Sequence, residues 1–284
     1  MAAYYDTLVS VDTCMRHRVA PDWRLVDCRF DLADKHRCEA AYRESHIPGA
    51  YYAHLEEDLS GVVHPDSGRH PLPDWRDFAL RLARWGIDRN TQVIAYDQGN
   101  GAFAARLWWL LRAIGHNRVA VLDGGWTAWR AAGGPVDRSV PAAGSIAVEA
   151  APDGDWVTTP QVEQNLRDRT FVLIDARSAR RFAGLEEPID PVAGHIPGAR
   201  NFPFEQNLDG KGLFLGQTEL RSRWLAFLQG CQPGDIVHMC GSGVTACHSL
   251  LAMEHAGLAG SRLYVGSWSE WIRNPERPVE TGAG

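Results

Sequence analysis

Cysteine is scarce in this sequence: six residues in 284, and Cys14, Cys28, Cys38, Cys231, Cys240 and Cys247 include no C-x-x-C pair. A disulfide-stapled scaffold is thereby excluded and no zinc or thioredoxin-like spacing is offered, so neither a metal nor a cofactor is expected and most thiols read as buried. Long apolar runs are missing too. The first twenty residues hold no apolar stretch of the ~7–15 residues that a secretory signal needs. The longest apolar-looking segment, Gly101–Leu111, carries Arg106 and falls short of the about 20 residues that span a bilayer. The expectation is a soluble, cytoplasmic protein with no membrane partner. Basic charge is also short: 29 Lys and Arg stand against 35 Asp and Glu, a net charge of −6. No cationic footprint for a phosphate backbone results, and nucleic acid is not expected as a partner.

What is present is an ordinary globular composition, 45% apolar and 23% charged, able to bury a core. Eleven tryptophans read mostly as packing. The main organising feature is self-similarity. Leu25-Val26-Asp27-Cys28-Arg29-Phe30 resembles Leu173-Ile174-Asp175-Ala176-Arg177-Ser178, and His46-Ile47-Pro48-Gly49-Ala50 recurs as His195-Ile196-Pro197-Gly198-Ala199. Val93–Asp97 answers Ile236–Cys240, and Gly125-Trp126-Thr127-Ala128-Trp129 answers Ser267-Trp268-Ser269-Glu270-Trp271. Pairs that keep their order at offsets drifting only between 142 and 149 mean a duplicated domain, of roughly 130 residues and so too long for a solenoid repeat. The two domains are expected at 5–140 and 156–284, joined by the Pro-, Gly- and Ser-rich stretch Gly133–Pro160.

Each copy alternates short β-branched runs with helical periodicity. LVDCR, VIAYD and VAVL read as strands of the first copy, with helices over Phe78–Trp85 and Ala102–Ile114; FVLIDAR, DIVHMC and RLYVG are strands of the second, with a helix over Ala246–His255 ended by Gly257. This alternation predicts an α/β fold in which each copy is a mainly parallel sheet flanked by helices.

Ligands in such sheets lie at the carboxyl ends of strands. In the second copy the strand Asp235–Met239 runs into Cys240-Gly241-Ser242-Gly243-Val244-Thr245 and then a helix. Two glycines let the backbone curl so that successive N–H groups converge on one point, to which the helix adds its positive end. A cysteine there would have its nucleophilic thiolate stabilised; the alternative is a buried thiol at a strand end. The equivalent position in the first copy is Asp97, unable to do sulfur chemistry and suited to capping the helix that follows.

The paired VDCR and IDAR, the two HIPGA motifs, AARLWWLLRAIGH, VLDGGWTAW and above all CGSGVTAC resemble the tandem-domain rhodanese family of sulfurtransferases over nearly the whole chain. The resemblance implies that Cys240 takes sulfur from a small-molecule donor as a persulfide and passes it to a thiol, thioredoxin or cyanide acceptor. Gly241, Gly243, Val244 and Thr245 would stabilise the sulfur through backbone N–H groups. Family members that prefer thiosulfate usually carry basic residues after the cysteine, whereas this loop resembles those that prefer 3-mercaptopyruvate. Arg181 matches the family's carboxylate-binding arginine, and a second arginine that some members place before the second HIPGA is absent from Glu186–Pro191. Ser242 and His70 match two members of a Ser–His–Asp relay, His70 lying in the first copy's stretch of chain, with Asp58 or Glu56 open as the acid or no acid at all. His46 and His195 are assigned to structure, as are Asp27 and Asp175, with Arg29 and Arg177 pairing with these aspartates or with neighbouring acids.

Three other readings stand beside this one. Thiosulfate could be the preferred donor. Both copies could be non-catalytic binding modules, since one lacks the cysteine. A cysteine phosphatase would need an arginine six positions after its nucleophile, and that position is Ala246.

Overall fold

The computed structural model describes residues 4–144, 146, 148, 150–152 and 156–283. The chain divides into two compact units, and the division departs from chain order in two segments. The first unit takes the described residues of 1–61, 73–154 and 210–214; the second takes those of 62–72, 155–209 and 215–284.

The first unit is built on a five-stranded sheet of β1 (Leu8–Val9), β2 (Trp23–Asp27), β3 (Tyr51–Tyr52), β4 (Gln92–Tyr96) and β5 (Val119–Leu122), in the order β1-β5-β4-β2-β3. The second repeats that order with β6 (Trp156–Val157), β7 (Val172–Asp175), β8 (Arg200–Asn201), β9 (Ile236–Met239) and β10 (Arg262–Tyr264), arranged β6-β10-β9-β7-β8. All of these pairings are parallel, with Leu25 opposite Ile94 in one sheet and Leu173 opposite Val237 in the other. Strands covered by helices on both faces have no wet side, and β4 and β9 are accordingly buried along their whole length.

The helices fall close to where periodicity places them. Trp75–Arg84 begins a turn earlier than its apolar stripe because the Asp74 carboxylate accepts the N–H groups of Arg76 and Asp77. Ala104–Ala113 buries every residue from Ala104 to Leu111. Thr245–His255 ends where Gly257 turns with φ +70°. The strand expected from Asp235 starts one residue later, since Pro233–Asp235 forms a short 3-10 turn.

Part of the expected linker, residues 145, 147, 149 and 153–155, lies outside the described residues. The rest is more ordered than its composition predicts. Asp137 forms an antiparallel bridge with His46, the Gly144 N–H reaches the Arg84 carbonyl, and Trp156–Val157 is already a strand.

The duplication reaches individual hydrogen bonds. His46 Nδ1 lies 2.7 Å from the Tyr42 carbonyl and its ring stacks on Tyr42; His195 Nδ1 lies 2.8 Å from the Phe182 carbonyl and its ring stacks on Phe182. Arg29 pairs with Asp27 and covers the face of Trp126, just as Arg177 pairs with Asp175 and covers Trp268. Trp129 and Trp271 are fully buried and donate their indole N–H to the carbonyls of Pro135 and Pro278. Both Asp–Arg pairs are buried, where removing either partner of such a pair typically costs about 3–5 kcal/mol.

Candidate active site

The two cradles sit at the same place in their units, after the central strands β4 and β9, and differ in the residue at their floor. In the first, the Asp97 carboxylate fills the space itself. One oxygen accepts the N–H groups of Gly99 and Gly101 at 3.0 Å each, and the other those of Phe103 and Ala104 at 2.9 and 3.1 Å. Asp97 thus caps the following helix, as expected from sequence, and it also shows what the loop binds: an anion held by four converging backbone donors. The left-handed glycine of this cradle, Gly101 with φ +76°, answers Gly243 of the second copy with φ +73°.

In the second unit Cys240 occupies the floor position and is 2% exposed. Gly243 turns with φ +73°, and a Cβ there would lie 2.6 Å from the Val265 carbonyl, so glycine is demanded on both counts. The helix entered at Thr245 has no acidic residue in its first turn to offset its positive end. The loop is held by the first turn of the helix Ser267–Trp271. Trp268 and Ser269 donate their N–H groups to the Cys240 and Gly241 carbonyls, and Ser267 Oγ accepts the Cys240 N–H at 3.1 Å while donating to the Tyr264 carbonyl. Ser267 adopts φ +52°, a left-handed conformation costly for any residue with a Cβ; its counterpart Gly125 has φ +49°. Cys247 is buried, with its sulfur 3.3 Å from the Gly243 carbonyl.

Residues 62–72 complete the site although they precede the second repeat in sequence. They belong to the second compact unit, so His70 is not a visitor from the first. His70 Nδ1 lies 2.7 Å from Ser242 Oγ, and both side chains are buried. The segment is fastened, among other contacts, by bonds from Arg69 N–H to Ser269 Oγ, from Gly68 N–H to Glu270, and from Arg273 to the Ser67 carbonyl. Of the two acids considered for a relay, Asp58 accepts the His54 N–H and pairs with Arg81, and Glu56 pairs with Lys35.

Charged side chains extend from the loop in an alternating series. Arg69 pairs with Asp190, Asp190 with Arg181, Arg181 with Glu187, Glu187 with Arg177, and Arg177 with Asp175. Burial would raise the Glu187 carboxyl, but hydrogen bonds from Arg181 and from the backbone of Asp190 and Ile189 hold it below its ordinary range. Asp190 goes the other way: burial raises it, and its neighbour Glu187 adds to that against the pull of Arg69 and Arg181. Burial opposes the Arg177 charge, and Asp175, Glu187 and the Cys240 sulfur more than offset it.

Sequence reasoning brought Cys240, Ser242, His70 and Arg181 to attention, and the fold assembles all four around one loop. It passed over Arg69, Ser267, Glu187 and Asp190. Only Ser267 carried a usable sign, being a serine where the other copy has glycine. Among the described residues no cluster of His, Cys, Asp and Glu could hold a metal ion, and no helix is long and apolar enough to cross a membrane.

A duplicated parallel α/β unit, with one cradle built around cysteine and the other filled by aspartate, is the architecture of a two-domain sulfurtransferase. The rhodanese-like domain model matches residues 10–132 and 158–274, and the chain belongs to the rhodanese family. It is 47% identical over 265 residues to a Pseudomonas aeruginosa protein named "Probable 3-mercaptopyruvate sulfurtransferase", covering 92% of this chain and 93% of that one. A protein of Arabidopsis thaliana, "Thiosulfate/3-mercaptopyruvate sulfurtransferase 1, mitochondrial", is 35% identical over 305 residues, covering 97% of this chain and 78% of its own length. Among solved structures, the 3-mercaptopyruvate sulfurtransferase of Leishmania major superposes with a TM-score of 0.84 at 31% identity, over 95% of this chain and 76% of that one.

Proposed function

We propose that this protein moves sulfane sulfur from 3-mercaptopyruvate, through a persulfide on Cys240, to a small thiol, thioredoxin or cyanide. The observation that carries the reading is the matched pair of cradles. The loop that receives a carboxylate through backbone N–H groups in one copy presents a cysteine sulfur in the other. Donors arranged in advance around a sulfur anion stabilise it without reorganisation as charge develops.

In the proposed reaction the Cys240 thiolate attacks the donor's sulfur. The new S–S bond forms as the donor's S–C bond breaks, and the electron pair of that bond leaves as the pyruvate enolate. Ser242, two residues after Cys240 in the same loop and hydrogen-bonded to His70, relays a proton to the enolate. An acceptor nucleophile then takes the outer sulfur and returns Cys240 to the thiolate. Cys240 itself is almost fully covered, so the persulfide, which extends one atom further out, is the species an acceptor meets.

A thiol acid fits better than thiosulfate because the loop from Gly241 to Thr245 contains no cation, while guanidinium groups stand to one side of it. A dianionic inorganic donor gains most from cations inside the loop; a carboxylate set apart from its sulfur by carbon atoms does not need them there. The names of relatives point both ways, one to mercaptopyruvate and one to both donors. We place the protein in the cytoplasm, where its six free cysteines remain reduced.

The test is mass spectrometry after incubation with donor, followed by kinetics with each donor. Wild type is expected to gain one sulfur that thiol removes, Cys240→Ser to gain none while keeping its fold, and kcat/KM to favour 3-mercaptopyruvate. No sulfur uptake at all would favour a binding module, and a preference for thiosulfate would overturn the donor assignment.

A further inference from the structure

We propose that Ser269 and Glu270 are positioning residues for the proton relay: their side chains clamp the backbone at Gly68 and Arg69 so that His70 is set against Ser242. The proposal rests on the mercaptopyruvate reading above and adds to it the groups that fix the relay's geometry.

The first observation is the way the relay histidine is held. Residues 62–72 form neither helix nor strand, so no backbone ladder fixes their course. Ser269 Oγ accepts the Arg69 N–H at 3.0 Å and the Glu270 carboxylate accepts the Gly68 N–H at 3.4 Å. The next residue along, His70, lies 2.7 Å from Ser242 Oγ. Ser269 also donates its own N–H to the Gly241 carbonyl at 2.8 Å. One residue is thereby tied to the cysteine loop through its backbone and to the histidine segment through its side chain.

The second observation is close approach. A Cβ on Gly68 would lie 2.7 Å from the Gly266 carbonyl oxygen and 2.9 Å from Ser269 Oγ, so the segment can rest on this turn only because residue 68 is glycine. A Cβ on Gly266 would lie 2.5 Å from Glu270 Cδ, so glycine there leaves the room that the carboxylate occupies. The other Glu270 oxygen accepts the Thr159 hydroxyl, which lies 2.8 Å from the Tyr264 hydroxyl. The carboxylate is therefore fixed in direction from both sides.

The third observation is the contrast between the copies. Gly266, Ser269 and Glu270 answer Gly124, Thr127 and Ala128 of the first copy. There the Thr127 hydroxyl turns back to the Gln98 carbonyl, and Ala128 offers only a methyl group. A Cβ on Gly124 would meet Ala128 Cβ and Leu213 Cδ2, each at 2.5 Å, so the place of the carboxylate is taken by apolar packing. The copy with the cysteine has directional hydrogen bonds where the copy without it has methyl groups. Apolar contact leaves orientation loose, whereas proton transfer needs its heavy atoms within hydrogen-bond reach.

The two donors differ in their need for the relay. Sulfur leaves 3-mercaptopyruvate by cleavage of an S–C bond, and the electron pair left on the pyruvate fragment must take up a proton. Thiosulfate gives up its outer sulfur by cleavage of an S–S bond, and sulfite carries that pair away as a stable anion without protonation. A clamp that serves the relay therefore matters to the first donor and not to the second.

The experiment measures kcat with each donor, using cyanide as acceptor, for wild type, Ser269→Ala, Glu270→Ala and Glu270→Gln, and for the two alanine changes combined with His70→Ala. A small misplacement of His70 predicts a fall in kcat for 3-mercaptopyruvate of about 10- to 100-fold in each alanine variant, with thiosulfate turnover nearly kept. Glu270→Gln retains an oxygen to accept the Gly68 N–H and should stay close to wild type. In the His70→Ala background neither alanine change should lower kcat further, since residues that act through a common group are not additive. Equal losses with both donors, or full additional losses in the His70→Ala background, would show that Ser269 and Glu270 only support the fold and would overturn the proposal. Unchanged kcat in the alanine variants would overturn it as well. His70→Ala as active as wild type toward 3-mercaptopyruvate would instead overturn the relay in the functional reading.

Discussion

Ser267 combines a backbone cost with a hydrogen-bond gain, and both can be measured. Its φ of +52° costs about 1–2 kcal/mol relative to a right-handed conformation. Its hydroxyl is meanwhile the partner of the Cys240 N–H, which would otherwise be buried unpaired. Ser267→Ala keeps the strain and loses the bond, so it should destabilise the protein by about 1–3 kcal/mol in urea unfolding. Ser267→Gly loses the same bond but relieves the strain and should be no less stable than the alanine variant. Alanine matching wild type would show that the hydroxyl does not hold the loop. The residue was legible only by contrast with Gly125, because a serine in a left-handed turn has no local signature of its own.

At the scale of the strand–loop–helix element, one backbone design serves two ends. In the first copy Asp97 satisfies four backbone donors, two from the loop at Gly99 and Gly101 and two that the helix start leaves over at Phe103 and Ala104. Asp97→Asn replaces one of its two accepting oxygens by an NH2 group, leaving part of that set unpaired. A loss of about 1–3 kcal/mol in stability is expected, with turnover nearly unchanged. A fall in kcat comparable to that of Cys240→Ser would show that the first copy takes part in the chemistry. The type of this element was readable from glycine spacing and helical periodicity. Which N–H groups converge was not, since that depends on the φ of Gly101 and Gly243 and on the tertiary partners of the loop.

For the molecule as a whole, acid sensitivity has an identifiable source. His238 lies on β9, is fully buried, packs edge-on against Trp224, and has its Nδ1 without a hydrogen-bond partner. Burial pushes its pKa down from 6.5 to about 3. The native state therefore refuses a proton that the unfolded chain accepts below pH 6.5. The associated stability is complete above that pH and is lost as pH falls toward 3. Between pH 6.5 and 5 the loss should be about 2 kcal/mol. Urea unfolding of wild type and His238→Leu at pH 7 and pH 5 isolates this contribution, because other titrating groups are common to both. Equal pH slopes for the two proteins would show that His238 is not responsible.

By itself the sequence determined the duplication, the parallel α/β class and the cysteine loop, because each is written in neighbouring residues: β-branched runs, helical periodicity, and glycines at fixed spacing. It also determined the structural use of His46, His195, Asp27 and Asp175, whose partners lie at short range or recur in both copies. Tertiary structure alone decided that residues 62–72 pack with the second unit, placing His70 on Ser242 and Arg69 beside Gly241. It also arranged Glu187 and Asp190 into a charge series with three arginines. The contacts of Arg69 with Asp190 and of His70 with Ser242 join residues more than a hundred positions apart, where no periodicity or spacing links them, and the balance of burial against ion pairing that fixes the series exists only once the chain has folded.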